Sequence, residues 1–136
     1  MAGAHSSKSL AQKLGFKPGY RVSVLNAPRD YKTIMGELPQ GVVLIHELVG
    51  PFDLIHFFTQ KRKELEKNFP VLKLELSKCG GLWVSWPKAS SGIETDLNDN
   101  IVREIGLRNG LVDVKIASVD KTWSALKFVY RLSDRA

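Results

Sequence analysis

Phe52-Asp53-Leu54-Ile55-His56-Phe57-Phe58, a charged segment, the breaker Lys78-Cys79-Gly80-Gly81, and Leu82-Trp83-Val84-Ser85-Trp86 ending in Pro87-Lys88 make up the stretch that decides the fold. Each apolar run is short and nearly unbroken, which fits a strand buried on both faces of a parallel sheet. Between the runs, Leu65, Phe69, Leu72 and Leu76 recur at spacings of four, three and four, the inward stripe of a helix. Strand, helix and strand in that order form a right-handed βαβ unit. Sheets of this kind hold their ligands outside the carboxyl ends of the strands. Pro70 interrupts the helix, and its steric demand on the preceding residue predicts a break near Asn68 and Phe69 with a restart at Pro70.

Upstream, Lys8 to Leu14 reads as a short helix capped by Ser6 or Ser7 and stopped by Gly15. Arg21 to Leu25 is a first strand, and Pro28 suits the first turn of a helix from Arg29 to Met35 that ends at Gly36. Val42 to His46 is a second strand, and Gly50-Pro51 leads into the third. Downstream, a polar loop from Pro87 to Thr95 precedes a helix capped by Thr95 or Asp96, with Leu97, Ile101 and Ile105 inward and Gly110 at its close. Leu111 to Val119 and Ser124 to Arg131 are separated only by Asp120-Lys121-Thr122-Trp123, too few residues for a crossover helix, so they form an antiparallel hairpin. The predicted class is α/β: a three-layer Rossmann-like sheet of about six strands, mostly parallel, with a C-terminal antiparallel hairpin.

A chain of 136 residues can bury roughly two-thirds of its unfolded surface, and residues 1–136 read as a single domain with 1–7 a flexible N-terminus. Cys79 is the one cysteine, which excludes an internal disulfide and a cysteine-based zinc site and points to a reducing compartment. Preceding two glycines, with no basic or helix-start pattern around it, it reads as a small buried filler. The apolar runs fall far short of the roughly 20 residues that span a bilayer, and Met1 to Lys8 lacks the apolar core of a signal peptide. A cytoplasmic protein with no membrane partner is expected. The net charge of +6 favours acidic partners, but Lys61-Arg62-Lys63 and Lys67 are interleaved with Glu64 and Glu66 at helical pairing distances, which reads as a solvated face rather than a nucleic-acid patch.

The order of elements, with Lys78-Cys79-Gly80-Gly81-Leu82-Trp83-Val84 entering a strand, resembles the class I S-adenosylmethionine-dependent methyltransferase fold, in which a Lys-Pro-Gly-Gly turn commonly precedes the corresponding strand. Five further segments look like a bacterial family of small domains without an assigned activity: Lys17-Pro18-Gly19; Leu25-Asn26-Ala27-Pro28; Trp83 to Lys88 with Ser90-Ser91-Gly92; Gly110 to Lys115; and Trp123 to Phe128. The first resemblance implies an acidic residue in strand one and a glycine-rich turn after it, where backbone amides approach the cofactor. Here Val24 stands at the place of the acid and Asn26, Ala27 and Pro28 at the glycines. One crossover unit is also missing, because only Leu48 to Pro51 follow Glu47 before Phe52. Those departures point away from methyl transfer and from a bound cofactor.

The loop Trp86 to Gly92 is the first candidate site. Its position at the end of strand four is expected to lie beside the exit of strand one, with Lys88 supplying charge, Ser90 and Ser91 hydrogen bonds, Gly92 flexibility and Trp86 an apolar wall. The alternative is a solvated loop whose serines satisfy nearby backbone groups. Asn26, Arg29, Asp30 and Tyr31 can complete the same pocket, or Asn26 can shape the turn while Arg29 and Asp30 dress a helix start. Thr59, Gln60 and Lys61 can also reach it. Glu47, 21 positions after Asn26, sits near the spacing of a ribose-binding acid but reads better as a surface residue. His46 and His56 read as hydrogen-bonded structural residues, and no metal site is expected.

The expected function is binding of a small anionic ligand, a nucleotide or phosphorylated metabolite, with or without weak catalysis. The residues assigned to it are Asn26, Arg29, Tyr31, Trp86, Lys88, Ser90, Ser91 and Gly92. A divergent methyltransferase and a protein or nucleic-acid interaction module are the alternatives. Trp83 and Trp86, an odd number apart, point to opposite faces of the sheet. The terminal hairpin offers an edge through which a homodimer could form.

Overall fold

The computed structural model describes residues 8–135. The expected N-terminal flexibility and the Ser6 or Ser7 cap therefore lie outside the described residues. The order is α1 (Leu10–Lys13), β1 (Arg21–Leu25), α2 (Tyr31–Met35), β2 (Val43–Ile45), β3 (Phe52–Phe58), α3 (Arg62–Glu75), β4 (Leu76–Pro87), α4 (Asp99–Arg108), β5 (Leu111–Ser118) and β6 (Trp123–Tyr130). One sheet takes in all these strands in the order β2-β1-β3-β4-β6-β5. The first four are parallel, whereas β6 runs antiparallel to both β4 and β5.

Alternation along the strands makes two cores. On one face α3 and α4 bring Leu65, Phe69, Leu72, Val102 and Ile105 onto Ile55, Leu82, Val84 and Phe128. On the other, α1 and α2 bring Ala11, Leu14, Tyr31 and Met35 onto Val22, Leu54, Phe58 and Trp83. Burying a large apolar side chain contributes about 1.5–3 kcal/mol, so these two stripes dominate the stability of a short chain. Trp83 is buried in the second core and Trp86 in the first, on the opposite faces that their spacing requires.

Several local expectations are corrected. Ser9 caps α1, accepting from the Gln12 amide while the Gln12 side chain returns to Ser9 N–H. Helix α2 starts at Tyr31, beyond Pro28. Helix α3 is continuous through Pro70, because the fully buried Leu65, Phe69 and Leu72 hold both halves against the sheet. It runs directly into β4, and Lys78 to Gly81 are strand residues rather than a breaker. Cys79 is exposed, not a core filler. Asn98 caps α4, and Asp96 instead caps the neighbouring α3 by accepting from Arg62 N–H at 2.8 Å. The pair Arg62–Glu66 forms as the helical spacing predicts.

The missing crossover unit becomes a strap. Residues 46–51 leave β2 and reach β3 across β1, a span within the roughly 3.3 Å per residue of extended chain. Two β1 side chains hold it: Ser23 Oγ donates to Glu47 O at 2.7 Å, and Arg21 Nη2 donates to Val49 O at 2.8 Å. Leu48 packs onto the first core beneath. Because Ser23 is fully buried, Ser23→Ala is expected to cost about 1–2 kcal/mol by leaving the strap carbonyl unpaired, read as a lower urea midpoint with an unchanged slope.

Candidate functional site

The chain turns back on itself at β1. From there it passes to β2 on one side and, through the strap, to β3 on the other, so the sheet has its switch point between β1 and β3. Asn26 stands at that exit with a left-handed φ of 59°, a conformation that asparagine tolerates better than most residues. Its Nδ2 donates to Phe58 O at 3.2 Å and ties the ends of β1 and β3 together.

Asn26 is shared by two clefts. The larger, about 490 Å³, lies toward β2 between the turn and α2, with Asn26, Arg29, Tyr31, Lys32, Thr33 and His46 in its wall. Arg29 and Lys32 are its charged residues, and no carboxylate lines it. The smaller, about 260 Å³, lies toward β3 and includes Thr59, Gln60, Lys61 and Glu64. There Thr59 Oγ1 hydrogen-bonds Glu64, and Lys61 N–H donates to Thr59 Oγ1, so its polar groups satisfy one another. A third cleft of about 480 Å³ sets Lys61 and Lys63 against Glu94 and Asp96. Of the three, the β1–β2 cleft has the wall suited to an anion.

Asn26, Arg29 and Tyr31 are thus brought together, but the Trp86 to Gly92 loop is not beside them. Strand β3 separates β1 from β4, placing the two exits two strand spacings, or about 9–10 Å, apart. Trp86 is core and offers no pocket wall. Lys88 turns to the terminal hairpin, its Nζ donating to Ser118 Oγ at 2.6 Å and its N–H to Thr122 O at 2.7 Å. Ser91 Oγ donates to Lys88 O and accepts from Ile93 N–H, Ser90 is exposed, and Gly92 closes the turn at φ 78°. Ser91, though not Ser90, thus bonds nearby backbone groups as in the solvated-loop alternative. Lys32, Thr33 and His46 are wall residues that the sequence reading did not assign to the site. Glu47 is exposed and contributes its backbone carbonyl to the strap bond.

Behind Tyr31 lies a buried polar chain. Tyr31 Oη stands 2.9 Å from His56 Nδ1, and His56 Nε2 stands 2.7 Å from Ser85 Oγ. A neutral imidazole has one N–H and one lone pair, so His56 donates to one hydroxyl and accepts from the other. Burial pushes its pKa down to about 3 and raises that of the Tyr31 hydroxyl well above the ordinary value. His56 and Ser85 are fully buried and Tyr31 nearly so, which keeps substrate from this serine–histidine pair and leaves it a positioning role: it fastens α2, and with it the cleft wall, to the sheet. His46 Nδ1 lies 3.2 Å from Val24 O at the surface. Among the described residues no group of three histidine, cysteine or acidic side chains is placed to hold a metal, and no helix is long and apolar enough to cross a membrane.

The sheet order, parallel strands closed by an antiparallel terminal hairpin, defines a methyltransferase-like Rossmann fold, and solved structures agree. The chain is similar to a SAM-dependent methyltransferase from Aquifex aeolicus (TM-score 0.61, 14% identity, covering 86% of this chain and 85% of that one). It is also similar to a TehB-like SAM-dependent methyltransferase from Corynebacterium glutamicum (0.58, 13%, 90% and 85%) and a precorrin-6y C5,15-methyltransferase from Geobacter metallireducens (0.61, 9%, 90% and 86%). No protein-family model and no curated protein matches the sequence. At these identities the likeness is one of fold.

The β1 exit lacks the acid and the glycine-rich turn that the resemblance to S-adenosylmethionine-dependent methyltransferases implies. Val24, in place of the acid, is buried in the second core. The Asn26 side chain lies across the gap to β3, Ala27 packs on the core, and Pro28 has no amide hydrogen to offer.

Proposed function

We propose that this chain binds a small anionic ligand of the nucleotide or phosphorylated-metabolite class in the β1–β2 cleft. The observation that carries the reading is a cleft at the β1 exit, on its β2 side, whose charged wall is Arg29 and Lys32 with no carboxylate opposed. Its volume falls in the range of small-molecule sites. Arg29 pairs with phosphate or carboxylate oxygens in a planar fork, Lys32 adds a second charge, and Asn26, Thr33 and His46 supply hydrogen-bonding groups in a cleft that Leu25 and Leu44 also line. The residues at the β1 exit support binding without methyl transfer.

The test is calorimetric titration with adenosine diphosphate. Arg29→Ala is expected to weaken binding about tenfold or more, the loss of a charge-assisted hydrogen bond, while Lys88→Ala leaves it unchanged. Equal affinity for wild type and Arg29→Ala contradicts the assignment. The likeness to methyltransferases keeps a second reading open to the same instrument: saturable binding of S-adenosylhomocysteine that Arg29→Ala does not weaken would make this a divergent methyltransferase with a different cradle.

A further inference from the structure

On the α1–α2 face of the sheet, the antiparallel pair β5–β6 carries lysines. Lys127 lies opposite Trp83 in β4 and opposite Lys115 in β5, so the two ammonium-bearing chains are cross-strand neighbours. Like charges in that relation repel. Two glycines make room for Lys127. A Cβ at Gly81 would come within 2.5 Å of Lys127 Cε, and one at Gly15 within 3.3 Å of its Nζ. The ammonium therefore emerges beside the Gly15 turn, 5.9 Å from the Trp83 ring centroid. Lys115 reaches the same place, its Nζ donating to Lys13 O at 3.3 Å. Lys17, two residues past Gly15 and close enough to act on the Lys127 ammonium by charge, completes a group of three cations.

Among the described residues no ion pair neutralises them: every ion pair uses arginine as its cation, and Lys127 makes no hydrogen bond to a protein acceptor. Burial, Lys115 and then Lys17 all lower its pKa, the signature of a half-buried ammonium lacking an opposite charge. A chain that places three cations together without a counter-charge, and clears two side chains to do it, has the charge and donors for an oxyanion.

We infer that Lys17, Lys115 and Lys127 form a second anion site, separate from the Asn26 cleft, which takes a phosphate or phosphomonoester group. The inference stands independently of the proposed function: the Asn26 cleft lies at the carboxyl ends of β1 and β2, whereas this site lies between the α1 turn and the terminal hairpin.

The experiment is a titration of the full chain with inorganic phosphate at constant ionic strength, followed by amide chemical shifts. Saturable shifts at Gly15, Lys17, Lys115 and Lys127 are expected, with affinity falling about tenfold in Lys127→Gln and in the more exposed Lys115→Gln, and unchanged in Arg29→Ala. Two results would overturn the site: shifts that spread over lysines generally without saturating, or affinity that both lysine variants retain. A second readout guards against a misfolded variant. In phosphate-free buffer Lys127→Gln should unfold at the same temperature as wild type or above it, because it removes like-charge repulsion, and phosphate should then stabilise wild type more than the variant. Equal stabilisation of the two contradicts the inference.

Discussion

Replacement of His56 by phenylalanine is expected to destabilise the fold by about 2–6 kcal/mol, because it strands two buried hydroxyls at about 1–3 kcal/mol each. The hydroxyls are those of Tyr31 and Ser85, which bond the two ring nitrogens at 2.9 and 2.7 Å. Urea unfolding measures the loss. The triple variant Tyr31→Phe, His56→Phe, Ser85→Ala should recover much of it, since removing all the partners together leaves nothing unpaired. The same histidine makes the protein acid-sensitive. Its folded pKa of about 3 lies below the unfolded value of 6.5, so the unfolded chain binds the extra proton between those pH values. Stability from this group is complete above pH 6.5 and is lost as pH falls towards 3, at about 1.4 kcal/mol per pH unit. Between pH 4 and 6, about mid-window, wild type should therefore lose stability one proton more steeply than His56→Phe. Parallel slopes would mean that His56 charges readily in the fold.

Gly106→Val is expected to cost about 3 kcal/mol, a fall in melting temperature of roughly 10 °C for a domain of this size. Helix α4 meets the sheet at Gly106, where a Cβ would overlap the ring of Phe128. The ring cannot retreat. Phe128 is fully buried and packs edge-on against Phe69, with centroids 5.5 Å apart at 87°. Either α4 lifts from the first core or the aromatic pair breaks. Phe128→Leu in the Gly106→Val background should restore part of the loss, a coupling that thermal denaturation of the double-mutant cycle reads directly. Additive losses would show that the helix lifts as a whole.

The strands β1 and β3 were legible to the residue because their apolar runs are bounded on both sides. The start of β4 was not. Gly80 and Gly81 look like punctuation, but they are strand positions with crowded surroundings: a Cβ at Gly80 would stand 2.7 Å from Asp53 O, and one at Gly81 would meet Lys127. Pro70 misled for a related reason, since the local rule against helical geometry was outweighed by packing of Phe69 and Leu72 that no local window contains. That Asn26, Arg29 and Tyr31 line one cleft was readable because they follow a recognisable strand end. The Lys88 loop was placed beside them in error, since sequence order does not say that β3 lies between β1 and β4. For Trp86, period-two alternation identified the face correctly but could not tell that this face is covered by the first core. Lys32 and Thr33 carried a usable signal, lying in the first turn of the short helix that begins two residues after Arg29.

The most direct test of the account is to map where adenosine diphosphate and S-adenosylhomocysteine perturb the amide spectrum of the full chain. The account predicts saturable shifts with the nucleotide at Asn26, Arg29, Lys32, Thr33 and His46, and none with S-adenosylhomocysteine at equal concentration. Nucleotide shifts confined to the Lys88 loop, or saturable binding of S-adenosylhomocysteine alone, would contradict it.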